Sequence, residues 1–383
     1  MIAEPRPAEP VHQPLGRARI LQLASYVLFA ALPAITVVTL FVSTIQDDAV
    51  AFDFRVFYAA AEAVLAGDSP YQALDDESAA VARGYVYPPI TAIGVIPLTL
   101  LPVEAAGLLV MAILVAAALA VPYVLGVRDW RCYGLLLLWP PVLSAVQTGT
   151  VTILLALGAA LAWRYRDRMS ASALVVGATL AVKLILWPLV VWMAATRRLL
   201  AAAGALAIGA ALVLGSWAAI GFTGLSDYPD VLRRLQDVVE LDSYTVYVVA
   251  LDAGASTTVA RALWLVVGIA VLAWVVVAAR RPGQERQAFV LAVAAALLLT
   301  PIVWLHYFAL LVVVVALARP TLSLVWFVPL AMVVTPGSGQ PTPFETSATL
   351  AIAAATVGIS LWSLRSSVAP ADVRGRDVAM GEP

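Results

Sequence analysis

Few side chains in this sequence could do chemistry, and they are scattered among long apolar runs. Lys183 is the only lysine, set between the apolar stretches 174–182 and 184–191. An ionised amine there is costly unless it faces water or an anion, which points to function; its structural alternative is to partner a buried acid or carbonyl. His306, in Thr300-Pro301-Ile302-Val303-Trp304-Leu305-His306-Tyr307, is the only histidine in an apolar segment; a satisfied core histidine is the plainer reading. Asp53 opens Asp53-Phe54-Arg55 just before an amphipathic run, where the structural alternative is a helix N-cap. Gln147, in Gln147-Thr148-Gly149-Thr150, marks the tip of a helical hairpin and could donate to a sugar or phosphate. Arg233 and Arg234 sit among acids, as on a solvated face. Together the acid, lysine, histidine and polar tip suggest an outward cavity at membrane depth that binds an anionic lipid-linked group.

The elements that must position them follow from composition. The chain has 383 residues, 62% hydrophobic and 12% charged. Soluble domains are nearer half apolar and a quarter charged, so the length implies one membrane domain instead of two or three soluble ones. A single cysteine, Cys132, excludes a disulfide framework and a Cys-rich metal site. Arginine in place of lysine, with abundant Ala, Val and Leu, is the composition of a GC-rich, actinobacterial type of genome. There is no Walker A loop, no GxGxxG at a strand–helix junction and no His-Glu-x-x-His, which argues against a nucleotide-driven pump.

A span needs about 20 apolar residues, fewer where a helix is broken inside protein. The expected membrane segments are 20–42, 103–126, 133–146, 150–163, 171–183, 184–196, 199–221, 258–279, 286–300, 302–318, 321–335 and 347–364. The first is too long for a signal-peptide core and reads as a retained helix. The pairs 133–146/150–163 and 171–183/184–196 read as half-depth hairpins, tolerated where their tips line a cavity or are buried in protein. Arginines alternate in the connecting segments: Arg17 and Arg19; Arg128 and Arg131; Arg164, Arg166 and Arg168; Arg197 and Arg198; Arg280, Arg281 and Arg286; Arg319; Arg365, Arg374 and Arg376. With these inside, both termini are cytoplasmic. The expected organisation is a cytoplasmic tail (1–19), a membrane domain (20–364) and a second cytoplasmic tail (365–383). Long external loops cover 43–102 and 222–257, with a shorter one at 335–347. In the first loop, 54–66 and 88–101 read as helices at the outer interface.

The first loop also carries a resemblance. Asp53-Phe54-Arg55-Val56-Phe57-Tyr58-Ala59-Ala60-Ala61-Glu62, then Gly67-Asp68-Ser69-Pro70-Tyr71, resembles the "Asp-Phe…Tyr…Ala…Gly-x-x-Pro-Tyr" stretch of glycosyltransferase family 87, in the GT-C superfamily. Tyr87-Pro88-Pro89 with Pro97 is similar to that family's "Tyr-Pro-Pro…Pro", and Gln147-Thr148-Gly149 to its "Gly-Gln-x-Asn" tip. Lys183 with Trp187-Pro188 resembles its "Lys-Pro" region, with Leu184 where proline is expected. Pro301 with Trp304-Leu305-His306-Tyr307 resembles "Pro…Trp-x-His-His", with Tyr307 replacing the second histidine. The similarity runs over about 50 to 310 in consistent order, and the departures bear on sugar specificity more than on fold.

The resemblance implies an all-α polytopic membrane protein: a GT-C-type transmembrane helix bundle of about 12 membrane segments with outer-face interfacial helices. It implies a polyprenyl-phosphate-sugar donor and a lipid-linked glycan acceptor, with no nucleic acid partner, at the bacterial plasma membrane. Asp53 would be the general base that takes the acceptor hydroxyl proton. Lys183, His306, Gln147, Arg55 and Tyr87 would hold the donor phosphate and sugar, with cations steadying the departing phosphate. Single displacement would invert a β-linked donor to an α-linked product. A divalent cation could bridge Asp53 and the phosphate, although no ligand cluster calls for one. The expected activity is α-mannosyl transfer. An arabinofuranosyltransferase using polyprenyl-phosphoarabinose is the rival within the class; a transporter or flippase, or a catalytically dead scaffold subunit, are rivals outside it.

Overall fold

The computed structural model describes residues 16–46, 51–71, 84–335 and 340–366. Arg374 and Arg376, most of both expected tails and parts of the first and third external loops lie outside the described residues. Within them every regular element is a helix. The first span runs through α1 (Arg17–Tyr26), a π-helical turn (Val27–Ala31) and α2 (Leu32–Gln46). Then come α3 (Phe52–Ala66), α4 (Pro89–Val95) with a 3-10 extension (Ile96–Leu100), and α5 (Val103–Val124). Short helices follow: α6 (Trp130–Leu136), α7 (Pro140–Thr148), α8 (Thr152–Arg164), α9 (Met169–Val182) and α10 (Pro188–Ala195). The rest comprises α11 (Leu199–Ala219), α12 (Tyr228–Val239), α13 (Val246–Asp252), α14 (Thr257–Ala279), α15 (Glu285–Leu298), α16 (Leu311–Ala318) and α17 (Pro343–Ser366).

Of the dozen expected segments, five are long and apolar enough to cross a membrane: Ala18–Ser43, Val103–Val124, Leu199–Ala219, Thr257–Ala279 and Pro343–Arg365. The others are short because the sequence breaks them. The expected segment 133–146 is two helices, since Pro140 and Pro141 cannot supply the N–H groups that would continue α6. Gly149, at φ +70°, ends α7, and α8 leaves at 117° to it. That sharp bend falls at the first expected hairpin tip. Lys183 is extended (φ −158°, ψ 127°) and ends α9, while Pro188 starts α10 after a 3-10 turn. Gly149 and Lys183 each lie about 20 Å of helix, at 1.5 Å per residue, from the arginine-bearing ends of α8 and α9. Helices α9 and α10 scarcely touch one another, unlike the arms of the second expected hairpin.

The interior follows from residue size. In a bilayer, helices associate by close packing, so small residues mark the contacts. A Cβ on Gly177 would fall 2.7 Å from the Ala205 carbonyl oxygen, and one on Gly209 3.2 Å from that of Gly177. This is why α9 and α11 cross so closely. Helix α15 is buried from Gln287 to Leu297 and α16 along its whole length, so these form the axis of the bundle. At the arginine-rich end, Arg198 pairs with Glu285 (2.6 Å) and Asp167 (2.9 Å), and Arg166 lies 3.7 Å from Glu285. The loop 222–257, expected only as an external connection, contains two further helices, α12 and α13.

Candidate active site

Asp53 sits in the first turn of α3 and is not its N-cap; that position is Ala51, with a left-handed backbone (φ 51°, ψ 55°). This geometry is uncommon for a residue with a Cβ, and the hairpin tip imposes it. The Ala51 N–H donates to the Gln147 carbonyl (3.1 Å). A Cβ on Gly149 would come within 2.9 Å of the Ala51 Cβ and 2.8 Å of the Phe54 Cβ. The start of α3 is thus seated on the tip between α7 and α8, which fixes Asp53 in depth and direction. The Thr148 and Thr150 hydroxyls face the carboxylate, and Thr150 is fully buried. Burial pushes the Asp53 pKa up to about 6, against the Lys183 charge and the two threonine hydroxyls, which lower it.

Across the cleft, Lys183 Nζ donates to the Tyr87 hydroxyl (2.9 Å) and the Tyr307 hydroxyl (2.5 Å). It also lies 4.7 and 4.5 Å from the centres of those two rings, within cation–π range. The break in the helix places it there: an extended residue at the end of α9 projects its side chain past the last turn. Tyr87 is held by an aromatic cluster. Its carbonyl accepts from the Tyr71 hydroxyl (2.8 Å), and Phe57 packs edge-on against its ring at 4.8 Å. The Tyr85 hydroxyl donates to the Pro88 carbonyl (2.7 Å) and that of Tyr228 to the Val86 carbonyl (3.2 Å), pinning a stretch with no regular structure. Burial pushes the Tyr87 phenol up to about 12, opposed by Lys183, so at neutral pH it is an uncharged partner.

Asp53, Tyr87, Lys183 and Tyr307 line one cleft of about 520 Å³. Its remaining walls are largely apolar, including Val182, Leu184, Trp187, Leu232, Leu235 and Ile302. Three other residues expected at the site lie outside this lining. His306 is buried one layer behind, its ring stacked on Tyr307 at 4.8 Å. Arg55 points to Glu104 (4.0 Å). Gln147 is exposed and contributes its backbone carbonyl. Arg233 pairs with Asp230 on the exposed face of α12, while Leu232 and Leu235 of that helix turn to the cleft. Sequence reasoning missed Tyr307 as a lysine partner and Thr148 and Thr150 as neighbours of the acid. Their signals were present: a phenol next to His306, and hydroxyls flanking the hairpin glycine. Among the described residues no three His, Cys, Asp or Glu side chains converge. A metal in the cleft would find Asp53 as the only acidic side chain in its lining, which is a poor fit.

The fold and cleft together define a multi-pass membrane protein that holds a carboxylate and an amine facing one another between apolar walls. The family model of glycosyltransferase family 87 matches residues 85–301, more than half of the chain, and the chain belongs to that family. The protein is therefore a membrane glycosyltransferase, and a transporter is set aside. Tyr87, Gln147 and Lys183 fall within the matched region; Asp53, Arg55 and His306 flank it. No curated protein and no solved structure matches the chain.

Proposed function

We propose that the protein transfers mannose from a polyprenyl-phosphate donor to a mannosylated lipid or lipoglycan, with inversion, at the outer face of the plasma membrane. The observation that carries this reading is the lysine held between two phenols opposite Asp53. An ammonium has three N–H donors, and two are engaged by Tyr87 and Tyr307. The third is available for a phosphate oxygen, and the apolar wall beside it (Leu184, Trp187, Leu232) suits the attached isoprenoid chain. Asp53 takes the proton of the acceptor hydroxyl as that oxygen attacks the anomeric carbon. The bond to the phosphate breaks with its electron pair, and the charge left on polyprenyl phosphate is stabilised by Lys183. A base of pKa about 6 is largely ionised at neutral pH yet still basic enough to accept that proton. His306, stacked on Tyr307, holds that phenol against the lysine, and Arg55 and Gln147 support α3 and the hairpin tip.

The test is transfer of radiolabelled mannose from polyprenyl-phosphomannose to membrane lipid acceptors, comparing the natural protein with Asp53→Asn at matched expression. Transfer that disappears in the variant supports both donor and base. Equal transfer in both removes Asp53 as the base. Absence of transfer from the mannosyl donor, with activity from polyprenyl-phosphoarabinose, would replace the sugar and keep the mechanism.

A further inference from the structure

Another cavity, about 420 Å³, lies back to back with the cleft and plays no part in the proposed transfer. Helices α14 and α17 both pack on α15 and scarcely touch one another, which leaves a slot between two membrane-length helices. Its floor is α15 (Ala294, Leu298) and its walls include Val271 of α14 with Ala354 and Gly358 of α17. Small residues keep it open: a Cβ on Gly358 would meet nothing within 4 Å. The lining runs over 267–274 on α14 and 350–361 on α17, roughly 10 to 16 Å along the helix axes at 1.5 Å per residue. It therefore extends along the spans. Tyr244 and Thr245 sit together at one end, beside Val303, where the Tyr244 N–H donates to the Val303 carbonyl (2.7 Å), and Trp274, with Arg365 over its ring, marks the other. The segment 302–308 is a shared partition. Val303 and Phe308 face the slot, while Ile302, Trp304 and Tyr307 line the cleft.

We infer that this slot holds a hydrocarbon chain of the acceptor lipid, an assignment that rests on the transfer reaction proposed above. An apolar cavity accepts apolar matter and excludes sugar or phosphate. The donor chain already has a wall beside Lys183, so a second lipid requires a second groove, and the polar end of this one adjoins the cleft. A chain leaving the bilayer for the slot gains no hydrophobic free energy, because lipid tails are as apolar as the lining. What it gains is register: the seated chain fixes how high the acceptor head stands relative to Asp53.

Two photoprobes test this on the full chain in lipid nanodiscs: a diacylglycerol mannoside with a diazirine in one acyl chain, and a polyprenyl phosphate with a diazirine in its chain. Peptide mapping should place the acyl label on α14 and α17 and the polyprenyl label elsewhere. Gly358→Leu, which fills open space, should remove the acyl label. It should also raise KM for the diacyl mannoside about tenfold, a ratio worth about 1.4 kcal/mol, with KM for the donor unchanged. Ala354→Leu serves as a second filling variant should the first fail to fold. A polyprenyl label in the slot, or an acyl label and KM indifferent to both variants, overturns the assignment. Labelling needs no turnover, so the two readings fail separately. A labelled slot without mannosyl transfer overturns the sugar; transfer with an unlabelled slot overturns the groove.

Discussion

Two polar clusters interrupt this apolar bundle, and they handle charge in opposite ways. At the arginine-rich end, Arg166, Arg198, Asp167 and Glu285 pair off, and each charge is answered by its opposite. In the cleft, Asp53 and Lys183 influence one another without forming an ion pair among the described residues; the lysine is held instead by two neutral phenols. An ion pair spends its hydrogen bonds on fastening helices, here in a cluster whose Arg198 and Glu285 also border a cavity of about 540 Å³. A charge steadied by neutral neighbours keeps both its field and a free bonding direction, at some expense in stability. The difference separates a cluster whose ion pairs fasten helices from the one proposed to hold the donor phosphate.

The most severe way to break this contrast is Asp53→Asn, which should lower mannosyl transfer by about 10³-fold, within the usual range for removing a general base. The same change should make the protein more stable. Because the fold raises this acid's pKa, its contribution to stability is full below the ordinary carboxylate value and is lost as pH rises through about 6. At neutral pH the ionised carboxylate is thus a cost, and Asn should gain about 1–2 kcal/mol, allowing for partial exposure. Thermal unfolding in detergent measures this, and a less stable Asn variant would contradict the comparison.

Lys183→Gln should reduce kcat/KM by about 10²-fold, the scale of losing one electrostatic stabiliser. It should also move the acid limb of the pH–rate profile upward, since the lysine charge lowers the Asp53 pKa. Transfer in the natural protein should fall as pH drops through about 6, when Asp53 takes up its proton. Thr150→Val should shift that limb upward too, with KM unchanged. A limb that stays in place would remove the hydroxyl from the carboxylate's surroundings.

Gly149→Ala comes next. Its Cβ would overlap Ala51 and Phe54, at a backbone angle only glycine adopts freely, and we expect about 1–3 kcal/mol of destabilisation with a partial loss of transfer. The smallest effect belongs to the other cluster. Glu285→Gln should lower stability by about 1 kcal/mol or less, as for partly exposed pairs, and leave transfer unchanged at saturating donor.

Most of the apolar segments were legible in the sequence because hydropathy acts locally, but the break at Pro140 and Pro141 was passed over and 133–146 was read as one segment. The hairpin tip and the helix break at Lys183 were read from the same signals. What could not be read was which polar groups meet. Tyr87, Lys183 and Tyr307 are joined by hydrogen bonds across 96 and 124 positions, and no local pattern encodes such a meeting. Asp53 was read as either a cap or a base. Only the seating of Ala51 on Gln147 takes the capping position away from it. His306 and Arg55 were drawn toward the cleft by their chemistry, whereas packing turns one behind Tyr307 and the other toward Glu104.

The contact between Ala51 and the Gln147 carbonyl also orders events in time. The chain emerges from its N-terminus, so the helix bearing Asp53 exists well before the tip that seats it, and the partners of Lys183 are complete only once Tyr307 has been made. Half-made chains threading into the bilayer therefore carry the carboxylate unplaced and the amine unclasped. On the proposed mechanism such chains cannot transfer sugar, and activity begins only once the bundle is complete.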